Sequence, residues 1–142
     1  MIESDHVGLS TFIEQMVDNM YTHEGVGLAA PQIGRNIRLV VIDPTAGENT
    51  KAMRVMINPI ILQTSLEVDV RPEGCLSLPG EIFNVKRSIA AKVKYLDARF
   101  NVVEADLFDM EARIFLHELD HLSGILISDI GTRATFRTRE DR

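Results

Sequence analysis

The sequence predicts an α+β domain: antiparallel or mixed strands packed around a central helix carrying His-Glu-x-x-His, with a second helix near the N-terminus. Three observations lead there. Apolar residues recur at helical spacing near the N-terminus, short apolar or alternating runs fill the middle, and the helical period returns after residue 106. Strands bracketed by helices without regular alternation fit α+β better than a doubly wound sheet.

The first helix is expected from Ser10, a reasonable N-cap, to His23, with Ile13, Met16, Val17 and Met20 on one buried stripe. A glycine-rich turn, Gly25 to Gly34, then ends it. Arg38–Asp43 and Met53–Leu62 read as strands, the second interrupted at Asn58-Pro59. Leu66, Val68 and Val70 alternate with Glu67 and Asp69, the period of a half-buried strand. Ala91–Leu96 and Phe100–Ala105 read as hairpin arms around Asp97-Ala98-Arg99. Asp106 or Asp109 could cap the next helix, which runs to Leu122, with Gly124 placed to stop it. Ile125–Ile130 reads as a last strand, and 131–142 as a polar tail.

The chain has 142 residues, which suits a single domain spanning 1–142, and 45% apolar residues, enough for a core without disulfides. Its net charge of −6, with no basic block, excludes direct nucleic-acid binding. The longest apolar run, Leu39-Val40-Val41-Ile42, is far below the roughly 20 residues of a membrane helix. The first residues, MIESDHVG, carry neither a signal peptide's positive start nor a transit peptide's arginines. The single cysteine, Cys75, fits a reducing compartment. A cytoplasmic protein is expected.

The sharpest chemical feature is His117-Glu118-Leu119-Asp120-His121. Residues four apart on a helix share a face, so both imidazoles can reach one cation, and Glu118 can take a proton from a metal-bound water. Met110 and Ile114 on that face place it against apolar surface, where unpaired histidines would be costly. Two exposed histidines on an ordinary helix are the bland alternative.

A hydrolytic site needs a third ligand and an open position. Ile127 stands where a metzincin has its third histidine, and for the downstream Glu of a thermolysin-like arrangement only Glu140, with Asp141 beside it, remains in a polar tail near the terminus. Cys75, in Glu73-Gly74-Cys75-Leu76-Ser77, is the strong remaining candidate, although a lone cysteine is more often a small core residue. The third notable segment, Gly25-Val26-Gly27-Leu28-Ala29-Ala30-Pro31-Gln32, lacks both dinucleotide and P-loop glycine patterns. It is either a tight turn or a backbone surface for an extended ligand, with Gln32 offering amide donors to developing negative charge.

In this order the three segments resemble peptide deformylase, which carries Gly-x-Gly-x-Ala-Ala-x-Gln, Glu-Gly-Cys-Leu-Ser and His-Glu-x-x-Asp-His-Leu-x-Gly. The resemblance spans roughly residues 10 to 130. It implies removal of formate from N-formylmethionine at the start of new polypeptides. Cys75, His117 and His121 would hold a divalent cation, Fe(II) by family precedent, replaceable by zinc, nickel or cobalt. Water on that cation would attack the formyl carbon while Glu118 takes and returns the proton. Gln32 and the Leu76 backbone N–H would hold the oxyanion. Val26, Met110 and Ile114 would line the methionine slot, with the peptide extended along Val26-Gly27-Leu28 and, opposite, the stretch after Pro79 that starts at Gly80.

Leu119 and Leu122 are expected in the core, and His6 and His23 on the surface without a role. Leu116 stands where the family usually has Gln. Family members often carry about twenty more N-terminal residues and a long C-terminal helix that can bear ribosome contacts. The short form suggests a minimal or virus-encoded version and weakens the expectation of ribosome docking; a monomer in a bacterial or virus-infected bacterial cell is expected. Two other readings, a thermolysin-type peptidase and a non-catalytic formyl-peptide binder, lack support: the first has no downstream ligand, and no ligand of the motifs is lost as the second would require.

Overall fold

The computed structural model describes residues 8–75 and 77–134. Helix α1, Leu9–Thr22, buries Leu9, Phe12, Ile13, Met16 and Met20 on one stripe. Its N-cap is Gly8 rather than Ser10, and the Phe12 N–H donates to the Gly8 carbonyl. Strand β1, Gly27–Ala29, and a 3-10 turn, Ala30–Ile33, occupy the segment expected as a glycine-rich turn. Next come β2, Leu39–Ile42, and β3, Arg54–Thr64. The chain continues with β4, Val68–Cys75, and β5, Leu78–Ser88. A hairpin of β6, Ala90–Leu96, and β7, Val102–Phe108, leads into α2, Asp109–Leu122.

Five strands form one antiparallel sheet in the order β1-β2-β3-β6-β7, leaving β1 at an edge. Why β2 is apolar throughout follows from what covers it. Leu39 and Val41 pack with the α1 residues, while Val40 and Ile42 pack with Ile114 and Phe115 of α2. Opposite faces of one strand thus serve two cores, as alternation along a strand demands. In β3 the Asn58-Pro59 interruption is a bulge. Asn58 adopts φ 51° and the pairing to β6 shifts between Ile57 and Ile60, but the strand continues.

The smaller sheet has the order β4-β5 plus a short strand β8, Thr132–Arg133. Helix α2 contacts strands of both sheets and so bridges them. Strand β4 is where expected, but inside out. Leu66, Val68 and Val70 are exposed, whereas Asp69, Glu73 and Cys75 turn inward. Alternation supplies the reason: Cys75 and Glu73 must both face α2, which commits every second residue before them to the same side.

Three further boundaries differ from expectation. The α2 N-cap is Phe108, with Asp109 already in the first turn, and Gly124 at φ 74° follows the helix end. Ile125–Ile130 is not a strand: α3 spans Ile127–Ile130, and the Asp129 side chain accepts from the Leu126 N–H at 2.8 Å, a local bond that competes with extended pairing. β8 falls in the stretch expected as tail. Its two residues find the open edge of β5, opposite Asn84 and Phe83. Among the described residues no helix is long and apolar enough to cross a membrane.

Candidate metal centre and active site

Helix α2 delivers two imidazoles and strand β4 delivers the sulfur. Ala112 and Phe115 bury against the large sheet, which fixes the rotation of the helix and turns His117 and His121 toward β4. Cys75 ends β4, where its pairing with β5 shifts register after Gly74. Cys75 Sγ lies 3.2 Å from His121 Nε2, which lies 3.2 Å from His117 Nε2. All three ligand atoms lie within 4.8 Å of one another.

The donor set fits a cation. Tetrahedral ligands at about 2.0–2.3 Å from a metal stand roughly 3.3–3.6 Å apart. The two ring nitrogens, 3.2 Å apart, with the sulfur 3.2 Å from one of them, come close to that spacing. Burial opposes a Cys75 thiolate, but hydrogen bonds from His117 and His121 and from the Ser77 backbone outweigh it and bring the thiol down to about 5. A thiolate is the form that ligates.

Glu73 controls the orientation of His117. Burial works against its charge, yet hydrogen bonds from His117 and Arg87 hold its pKa down to about 2. Its Oε1 accepts from His117 Nδ1 at 2.8 Å, which turns Nε2 toward Cys75 and His121. Arg87 grips both oxygens, Nε to Oε2 at 2.7 Å and Nη2 to Oε1 at 3.0 Å, and reaches Asp120 at 2.9 Å. Arg113 also donates to Glu73 Oε2. Removing one member of such a buried set typically costs about 3–5 kcal/mol, because the others are left unpaired. Glu73 and Asp120 stand in the sequence motifs without an assigned role. Arg87 and Arg113 carry no sequence signal at all, since only folding brings them to the carboxylate.

Glu118 is 5% exposed, and burial pushes its carboxyl up to about 7. Its Oε1 is the one buried side-chain oxygen or nitrogen without a hydrogen-bond partner among the described residues. Gln32 is held by its oxygen, which accepts the Ala29 N–H at 2.8 Å, so its amide nitrogen points at Ser77 Oγ, 3.3 Å, and Cys75 Sγ, 3.6 Å. Leu76 lies outside the described residues.

A cavity of about 840 Å³ opens beside the ligands. Val26, Gly27, Gly80, Met110 and Ile114 line it together with Gln32, Cys75, His117 and Glu118. Met110 is 48% exposed, so that end of the helix face borders open space rather than apolar packing. Leu28 departs from expectation more clearly, because its side chain is buried in the α1 core and only its backbone lies on the β1 edge. His23 is exposed as expected but borders the cavity mouth; His6 lies outside the described residues. Leu116, Leu119 and Leu122 are half-buried against the α2 core.

Residues 2–135 match the polypeptide deformylase family. The chain belongs to that family. A peptide deformylase of Thermotoga neapolitana is 45% identical over 121 residues, 85% of this chain and 71% of that relative. The crystal structure of peptide deformylase from Thermotoga maritima superposes with a TM-score of 0.83 at 42% identity, covering 91% of this chain and 84% of that one. A probable peptide deformylase from Synechococcus phage S-SSM7 is similar at 38% identity and a TM-score of 0.84, covering 91% and 87%. The α+β arrangement of these deformylases is the one described above.

Proposed function

We infer that this chain, as a single catalytic domain, removes the formyl group from N-formylmethionine at the start of newly made polypeptides and releases formate. Family membership carries the reaction. The observation that supports its location is the convergence of Cys75, His117 and His121 beside the buried Glu118.

Cys75, His117 and His121 would hold one divalent cation, Fe(II) in the cell, with zinc, nickel or cobalt able to replace it. When bound, such a cation supplies Lewis acidity, which activates water and polarises a carbonyl. Glu118 then takes the proton of the attacking water and passes it to the leaving amine. A carboxyl raised to about 7 is poised for both transfers. The Gln32 amide, fixed by Ala29, donates to the oxyanion, joined by the Leu76 backbone N–H.

The substrate backbone adds a strand to the open β1 edge at Gly27, with Gly80 across the cavity. Its methionine side chain enters between Val26, Met110 and Ile114. The enzyme acts as a monomer on nascent peptides in the bacterial cytoplasm.

Formate release from formyl-Met peptides by anaerobically purified protein tests this reading. Glu118→Gln should lose about 10²–10⁴-fold in kcat/KM while keeping its metal. Undiminished turnover by that variant rejects Glu118 as the base.

A further inference from the structure

Arg113 lies one turn before His117 on α2 and is 5% exposed. Its Nη1 donates to Glu73 Oε2 and, at 3.0 Å, to the Val85 carbonyl. Its Nη2 donates to Asp69 Oδ1 at 2.7 Å and to the Asp69 carbonyl at 3.1 Å. One guanidinium therefore ties α2 to two neighbouring strands, β4 through Asp69 and Glu73 and β5 through Val85.

We propose that Arg113 is a positioning residue, which holds Glu73 against His117 so that the imidazole keeps its proton on Nδ1 and presents Nε2 to the cation. Arg87 grips both oxygens of Glu73 from β5 and spends its third donor on Asp120, so it anchors the carboxylate within the small sheet, whereas Arg113 ties it to the helix that carries His117. Arg113 adds a donor on Oε2, while His117 occupies Oε1, so the carboxylate is gripped from the side away from the imidazole. Spacing adds a second effect. Residues four apart share a helix face, so an anchor at Arg113 also fixes the rotation of α2 where His117 and His121 meet the sulfur on β4. Only a guanidinium suits this geometry: a planar fork reaches two carboxylates and two carbonyls at once, which an ammonium cannot do.

This inference rests on the metal reading of Cys75, His117 and His121. The test uses the full chain loaded with zinc, with its dissociation constant measured by chelator competition and the imidazole ¹⁵N shifts by NMR. Arg113→Met keeps the length of the stem and removes every donor. Loss of a group that orients a ligating histidine typically weakens metal binding about 10–100-fold, and the low end of that range is expected here. The His117 shifts should also leave the single Nδ1–H pattern. A folded Arg113→Met chain with wild-type zinc affinity and wild-type shifts would overturn the proposal, even if its melting temperature falls.

If that variant does not fold, Asp69→Asn decides, because its side chain is 32% exposed and lies at the rim of the set. It should weaken zinc binding by about threefold, a smaller loss than removing the guanidinium itself. Unchanged affinity there overturns the proposal equally. A wild-type chain that takes up no zinc sinks the metal reading, and this inference with it. Zinc bound equally by wild type and variant sinks only the role of Arg113.

Discussion

The backbone of Gly27 lies directly against the carboxylate of Glu118: a methyl group on Gly27 would stand 2.7 Å from Glu118 Oε2 and 2.8 Å from Ile114 Cγ2. Only a residue without a Cβ lets the β1 edge approach the buried acid this closely.

Gly27→Ala must therefore displace either β1 or Glu118. Overpacking of this kind costs about 1–3 kcal/mol. Misplacement of a reacting group by about 1 Å can cost on the order of 10²-fold in rate. Deformylation kinetics and thermal melting of the same sample check both, with metal content expected to stay unchanged. Activity within a factor of two of wild type would mean that Glu118 does not need its present position.

Removal of the metal should destabilise the protein, because the three ligands converge only in the folded chain. At a free zinc concentration one hundred times its dissociation constant, linkage contributes about 2.7 kcal/mol. For a domain of this size that corresponds to a melting temperature lower by roughly 8 °C after chelation. Calorimetry with and without chelator measures it. Cys75→Ala should abolish the zinc-dependent part, and a variant that keeps the full shift would remove Cys75 from the ligand set.

A pH-sensitive joint lies away from the site, where α1 meets the loop after β2. Asp43 is fully buried and accepts from Thr45 N at 2.8 Å, Thr45 Oγ1 at 2.6 Å, Gly47 N at 3.1 Å and Tyr21 Oη at 2.7 Å. Burial alone would raise its pKa, but these donors together lower it. Its stabilising contribution is thus present above the ordinary carboxylate range and is lost as pH falls through the lowered value. Tyr21 behaves in the opposite sense. Burial and then the bond to Asp43 raise it to about 12, so stability is lost as pH climbs from about 10 towards that value. Urea titrations across pH should show both limbs. Tyr21→Phe should flatten the alkaline one, and Asp43→Asn the acid one at a cost of about 1–3 kcal/mol near neutrality. An unaltered acid limb in Asp43→Asn would assign it to other carboxylates.

Much of the centre could be read before any fold was known. His117 and His121 are four apart on a helix, so local geometry alone makes them neighbours. Glu118 comes with them. The strongly apolar β2 and the stripe of α1 are equally local, because periodicity records which faces will be buried. Where local signals compete, the reading fails. Val68 and Val70 alternate like an inward face, yet they are exposed, because Glu73 and Cys75 on the other register must meet α2. Ile127 and Ile130 suggest a strand, but the Asp129 cap and the short span make a helical turn.

The amino-acid order by itself determined the chemistry on offer: one thiol, two imidazoles at helical spacing and the acid Glu118 beside the first of them. Only tertiary structure decided that the thiol meets the imidazoles, that Gly27 closes over Glu118, and that Arg87 and Arg113 converge on Glu73. Those partners lie between 14 and 91 residues apart along the chain. Nothing in a linear pattern encodes such distances. They arise when burial of two separate cores, one on each face of β2, fixes where the strands and α2 must lie.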